Sequence, residues 1–185
     1  MVVTRDPGIL LATTHALPSG ERVRLRLTRP SDVSLVEGFL EGLSPDTRHR
    51  RFFTAGPGVP AQLVRHFTFY DPRERIVIAA VLPVDGYPRL VGLGDLAVLD
   101  TGLAELGLVV DDDRHGQGIG SLLCEALAWL AAQRGATHVK AEMLEHNVAM
   151  ARLMERLGTT VRTVEDGHPV VYSKLDGLRA RASAA

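Results

Sequence analysis

The sequence predicts a mixed α/β domain of the α+β kind, built on one mostly antiparallel sheet flanked by helices. Three observations carry this. The apolar runs RIVIAAVL, LVGLGDLAVL and LAELGLVV are separated by the turn clusters Asp85-Gly86-Tyr87-Pro88 and Asp100-Thr101-Gly102, which makes a three-strand meander. From Ile119 onward the apolar period changes, and Ile119, Leu122, Leu123, Ala126, Leu127, Leu130 and Ala131 share one helical face. Two strand-like segments precede this middle portion, and two more close the chain.

Taken in order, ATTHA and RVRLRLTR flank Leu17-Pro18-Ser19-Gly20-Glu21 and read as two strands joined by a turn. In the second, Val23, Leu25 and Leu27 alternate with Arg22, Arg24 and Arg26, so one face is expected inside. Pro30-Ser31-Asp32 offers cap chemistry for a helix through VSLVEGFLEGL, and Ser44-Pro45-Asp46 does the same for TRHRRFF. PAQLVRHFTF forms a third helix, ending near Asp71-Pro72. After the meander and the helix from Ile119, Gly135 stops the helix and THVKAEML gives the next strand. A helix over residues 147–157 turns Met150, Leu153, Met154 and Leu157 inward, and Gly158 ends it. TTVRTV and PVVYSKL form the last hairpin around Glu165-Asp166-Gly167-His168. The domain is expected over residues 13–175, with a loose lead-in over 1–12 and a loose tail over 176–185.

Composition narrows the function classes. The 185 residues are 45% hydrophobic and 23% charged, as in a single globular domain with its own core. A net charge of -1 gives no whole-chain attraction to nucleic acid or anionic membrane, so neither is an expected partner. The single Cys124 excludes an internal disulfide, and no Cys/His cluster has zinc-ligand spacing. GILLA, at residues 8–12, is too short to span a bilayer and makes a poor signal peptide. A cytoplasmic, metal-free protein, monomeric or homodimeric, is therefore expected.

The stretch DRHGQGIG, residues 113–120, carries the strongest chemical signal. It lies between a strand and a helix, so its amides gather at a helix N-terminus, where main-chain N–H groups and the helix dipole suit an anion. An isolated glycine run is more often a tight turn. No Gly-Lys-Ser/Thr follows, which argues against a Walker-type nucleotide loop, and the preceding meander argues against a dinucleotide fold.

The segment LVVDDDRHGQGIGSLL resembles the acyl-CoA-binding segment of the GNAT superfamily of N-acetyltransferases. The family pattern Arg/Gln-x-x-Gly-x-Gly/Ala falls on His115-Gly116-Gln117-Gly118-Ile119-Gly120, with His at its first position. NVAMARLMERLG is similar to the family's following helix, and LSPDTRHRRFF resembles a segment of the Pat-type protein lysine acetyltransferases. The resemblance covers about residues 13–174 and leaves no room for the regulatory or synthetase-like domain that often accompanies this domain in that group, so a standalone catalytic domain is expected. It implies acetyl-CoA as co-substrate and an amine acceptor, with a protein lysine as one form of it. The main chain of Leu108, Val109 and Val110 would pair with the pantetheine arm. The amides of His115, Gly116, Gln117, Gly118, Ile119, Gly120 and Ser121 would hold the pyrophosphate. Asn147 would hydrogen-bond the pantetheine or acyl end, and it also suits an N-cap.

Transfer to an amine requires the free base. A lysine with pKa ~10.4 gives it up at pH 7 for about 4.6 kcal/mol, so a positioned base is useful. Glu105, the one carboxylate in LAELGLVV, is the candidate, and Ala104-Glu105 is similar to the strand context of the Pat-type general base. The alternative for Glu105 is an exposed strand carboxylate paired with an arginine. Burial beside Leu103, Leu106 and Leu108 would raise its pKa, and Gly107 would leave space for a substrate. Met154 stands where many family members have a tyrosine, so no general acid is assigned; Tyr172 is a remote candidate. Cys124 is read as packing. Arg48, Arg50 and Arg51 are read as a solvated helix face, or else as a basic rim. Asp111-Asp112-Asp113 is read as a solvated turn, or else as an attractor of a cationic amine. Two other classes stay open: a non-catalytic CoA-binding module and a small-molecule amine acetyltransferase.

Overall fold

The computed structural model describes residues 11, 13–53, 58–84, 86–99 and 102–175. Of the loose ends expected at 1–12 and 176–185, all but Leu11 lie outside the described residues, as do the turn residues Asp85, Asp100 and Thr101. Strands β1 (Thr14–Ala16) and β2 (Arg22–Leu27) lead through a 3-10 turn at Pro30–Asp32 into α1 (Val33–Gly42), α2 (Pro45–Phe52) and α3 (Ala61–Thr68). The meander β3 (Arg75–Val84), β4 (Tyr87–Val98) and β5 (Leu103–Val110) follows. Then come α4 (Ile119–Gln133), β6 (His138–Glu142), α5 (Val148–Leu157), β7 (Thr160–Glu165) and β8 (His168–Lys174).

The eight strands among the described residues form one sheet in the order β1-β2-β3-β4-β5-β6-β8-β7. Every pairing is antiparallel except β5 with β6, which α4 connects as a parallel crossover. The expected mixed, mostly antiparallel sheet flanked by helices is therefore present. The alternation within each strand sorts side chains into two cores. Ile76, Ile78, Leu106, Val110, Val139 and Val171 pack against Ile119, Leu123 and Leu127 of α4 and Met150 and Met154 of α5. Val77, Ala79, Leu93 and Val109 pack instead against Val36, Phe39 and Leu40 of α1 and Val64 and Phe67 of α3.

Two local expectations are corrected. Leu27, read as inward, is 47% exposed, because it ends β2 where the chain leaves the sheet. Asp32 does not cap α1 with its side chain. Its carboxylate turns back to accept two bonds from the Arg26 guanidinium, at 2.7 and 2.8 Å, and one from the Arg29 N–H at 2.8 Å. Ser44, in contrast, caps α2 as expected, accepting the Thr47 N–H at 3.1 Å.

Candidate active site

The site begins with a pairing that stops early. Parallel β5 and β6 are in register only at Leu103↔His138, Ala104↔Val139 and Glu105↔Lys140. Beyond that rung β5 continues from Leu106 to Val110 against β4 alone, while β6 continues against β8. The Asp111 N–H donates to Val91 O at 3.0 Å and Leu103 O accepts from the Leu99 N–H at 2.9 Å, so odd-numbered peptide groups of this strand turn toward β4. By alternation, the N–H and C=O of Leu106, Leu108 and Val110 face the open side. Val109, grouped with Leu108 and Val110 in the sequence reading, instead turns its peptide groups toward β4 and its side chain into the α1–α3 core.

The glycine loop closes the far end of this free edge. A short 3-10 turn, Asp112–Arg114, carries the chain from β5 to His115. Gly116 and Gly118 sit at φ 74 and 87, where side chains are disfavoured, and a Cβ at either would meet nothing within 4 Å. The first main-chain bond of α4 runs from the Leu122 N–H to Gly118 O at 3.1 Å, so the amides of Ile119, Gly120 and Ser121 have no acceptor within the helix. Ile119 anchors the helix start by full burial, and Gly120 leaves room for Leu153, Leu108 and Val110 around it. Ser121 Oγ accepts from Arg156 at 3.0 Å, which ties the loop to α5. The Gln117 amide folds back to donate to Asp113 O at 3.2 Å, leaving its Oε1 buried without a partner. The His115 ring points at the Val110 carbonyl, 3.0 Å away; a carbonyl only accepts, so Nε2 carries the hydrogen. Asn147 is the N-cap of α5, accepting the Met150 N–H at 3.1 Å.

Two carboxylates of the acidic triplet before the loop, Asp111 and Asp112, are held in bonds, while Asp113 is exposed. Asp112 accepts from the Ser44 N–H and Ser44 Oγ, each at 2.8 Å, and from Thr47 Oγ1 at 2.6 Å, joining the loop to the start of α2. Partial burial pushes its carboxyl upward, but the bonds from Ser44 and Thr47 outweigh that and hold it below the usual aspartate value. Asp111 pairs with Arg89 at 2.9 Å, and Arg114 pairs with Glu21.

Glu105 lies at the root of the free edge, on the last paired rung and on the face opposite Leu106 and Val110, as the alternation predicts. Two expectations around it fail. Its side chain is 43% exposed rather than buried, and its ion-pair partner is Lys140, at 3.6 Å, not an arginine. The space beside Gly107 is filled by the Arg51 guanidinium, which a Cβ there would strike. Arg51 is thus not on a solvated face. It pairs with the buried Asp95, which also binds Arg75 at 2.6 Å and faces His66 at 3.5 Å. Burial alone would push the Asp95 carboxyl up; the Arg51, His66 and Arg75 charges and bonds reverse that and lower it.

Residues that sequence reasoning did not join to Glu105 complete this face. Lys140 also lies 3.8 Å from Glu165, and the Tyr172 hydroxyl donates to Glu165 at 2.5 Å. That bond, with some burial, raises the Tyr172 hydroxyl above its ordinary value. Phe53, at the end of α2 with φ 55, reaches the His168 ring at 5.1 Å and bridges to the β7–β8 hairpin. Met154 is fully buried, and burial pushes the Cys124 thiol up to about 12, so neither offers reactive chemistry. Among the described residues no His/Cys/Asp/Glu group is arranged for a metal ion, and no helix is long and apolar enough to cross a membrane.

The described residues thus bring together a strand edge left open beside a helix N-terminus and a carboxylate at its root. Comparison with known proteins gives the family. A family model described as an acetyltransferase (GNAT) domain matches residues 22–160, and the chain belongs to that family of N-acetyltransferases, whose co-substrate is an acyl-CoA. The chain is 32% identical over 162 residues to Acetyltransferase Pat of Mycolicibacterium smegmatis, covering 85% of itself and 46% of that protein, and so spans about half of that relative's length. It is 28% identical over 160 residues to Acetyltransferase PA5475 of Pseudomonas aeruginosa, covering 85% of this chain and 86% of that one. Among solved structures, the GNAT domain of Streptomyces lividans PAT superposes with a TM-score of 0.77 at 26% identity, over 88% of this chain and 96% of that chain.

Proposed function

We propose that this domain transfers an acetyl group from acetyl-CoA to a protein lysine or another primary amine, by direct attack within a ternary complex. The observation that carries the reading is the position of Glu105, at the rung where the β5–β6 pairing ends and the free edge of β5 begins. The pantetheine arm would lie along that edge as a substitute strand, bonded to the main chain of Leu108 and Val110. The pyrophosphate would sit on the amides of residues 115–121, and Asn147 would approach the arm from the start of α5. The Val110 carbonyl, which accepts from His115, has a second lone pair with which it would accept from pantetheine.

In this reading the acceptor enters from the opposite face, beside Glu105, Lys140 and Tyr172. The Glu105 carboxylate takes a proton from the incoming ammonium, directly or through water, and the neutral amine attacks the thioester carbonyl. The C–S bond breaks and the CoA thiolate departs; with a thiol pKa of roughly 8.5 it needs no dedicated acid. A protein lysine as acceptor rests on the resemblance of LSPDTRHRRFF to a segment of the Pat-type protein lysine acetyltransferases.

The test is thiol release from acetyl-CoA across a panel of protein lysates, peptides and small amines. Glu105→Gln is expected to lower turnover at saturating substrate by about 100-fold or more while acetyl-CoA affinity persists. Undiminished turnover would remove Glu105 from the mechanism. Turnover on small amines alone would remove the protein acceptor.

A further inference from the structure

The side chain held against Glu105 is itself a primary amine. Lys140 Nζ lies 3.6 Å from Glu105 Oε2 and 3.8 Å from Glu165 Oε2, and its side chain is 21% exposed. It is one of two lysines in a chain that carries 21 lysines and arginines, the other being Lys174. The register places it opposite Glu105 on the last rung of β5 and β6, next to the point where the strand edges part. An acceptor lysine from outside must bring its Nζ to this same carboxylate before it can react. The groups facing Lys140 are Glu105, Glu165 and, through Glu165, the Tyr172 hydroxyl, so the amine is held in place by its surroundings.

We infer that Lys140 is a self-acetylation site, modified by the acetyl-CoA bound in the same molecule. This rests on the reading of Glu105 as the base. Glu105 takes a proton from the Lys140 ammonium, and the Nζ lone pair forms the new C–N bond to the thioester carbonyl. As the C–S bond breaks, the nitrogen gives up a second proton, which goes to the departing thiolate and yields free CoA. The reaction consumes one acetyl-CoA, yields one Nε-acetyl-lysine and releases one proton to solvent through Glu105. Intramolecular placement gives the Lys140 amine an effective concentration that a free acceptor does not reach. The product removes a cation from between two carboxylates, which leaves Glu105 and Glu165 facing an incoming acceptor without competition.

The experiment uses the full chain, incubated with acetyl-CoA and no acceptor, followed by intact mass and peptide mapping. A parallel reaction with an amine panel measures transfer in trans. One acetyl group per chain is expected on Lys140. Lys174→Arg should leave it in place, Lys140→Arg should abolish it, and Glu105→Gln should slow it by about 100-fold. Lys140→Arg keeps the positive charge, and its melting curve shows whether it folds. If Lys140 stays unmodified while amines in the panel are acetylated, the inference fails and the functional reading stands. If neither Lys140 nor any amine is acetylated although acetyl-CoA binds, both fail. Equal labelling of Lys140 in wild type and Glu105→Gln would mark chemical acetylation by the thioester and overturn the inference.

Discussion

On the face covered by α4 and α5 the sheet is sealed by aliphatic side chains such as Leu123, Leu127, Ile78 and Val139. On the face covered by α1–α3 it encloses the carboxylate of Asp95 between Arg51 and Arg75. The first face fixes the glycine loop, because Ile119 is the first helical residue and is fully buried. The second carries Glu105 beside Lys140, with Lys140 and Tyr172 partly exposed, and in the proposed reaction the acceptor would enter there. Apolar packing anchors the helix that starts at the glycine loop. Paired charges hold the half that carries Glu105.

The comparison breaks most visibly at Asp95. Asp95→Ala leaves two cations under α2 and α3 without their counter-charge and is expected to cost roughly 3–5 kcal/mol in denaturant unfolding. Replacing Asp95 by Leu together with Arg51 by Met should recover much of that loss, since it removes charge from both sides. Leu127→Ala, on the other face, is expected to cost about 2–5 kcal/mol, and changes among the charged residues should not rescue it.

A smaller effect separates the loop brace from both cores. Asp112→Ala removes three accepted hydrogen bonds and is expected to cost about 1–2 kcal/mol, with weaker acetyl-CoA binding as the loop loosens. The folded Asp112 carboxyl lies below the ordinary value of 3.8, so the folded state binds its proton less readily than the unfolded chain. Its stabilisation is complete above that value and is lost as pH falls through the folded one. An acid-unfolding series should show this limb in the wild type and lack it in Asp112→Ala. The smallest effect is at Cys124: with its thiol pushed up to about 12, a thiol reagent at pH 8 should not label the folded protein, and unfolding should expose it.

How much could be read from the sequence follows the same division. The strands, the Ser44 cap and the glycine loop were legible because their signals are local: alternation, a hydroxyl before Pro45, and glycines at strained φ. Glu105's face was legible from alternation alone. The groups around it were not. Arg51 meets Asp95 across 44 positions and Ser44 meets Asp112 across 68. Lys140 opposes Glu105 only because the crossover through α4 sets that parallel register. Local spacing cannot report such pairings, so Gly107 reads as an open slot until Arg51 is seen in it.

The three rungs between β5 and β6 have a mechanical meaning as well. Cut there, the sheet separates into a five-stranded sector, β1 to β5, and a three-stranded one of β6, β8 and β7. Helices α4 and α5 clasp the two sectors through Gly120 against Leu153 and Arg156 on Ser121. A thioester lying along the free edge of β5 would act as a removable splint, stiffening the seam on loading and freeing it on release. Each turnover would then assemble and dismantle a piece of the scaffold, so that the reactant serves as a temporary part of the architecture.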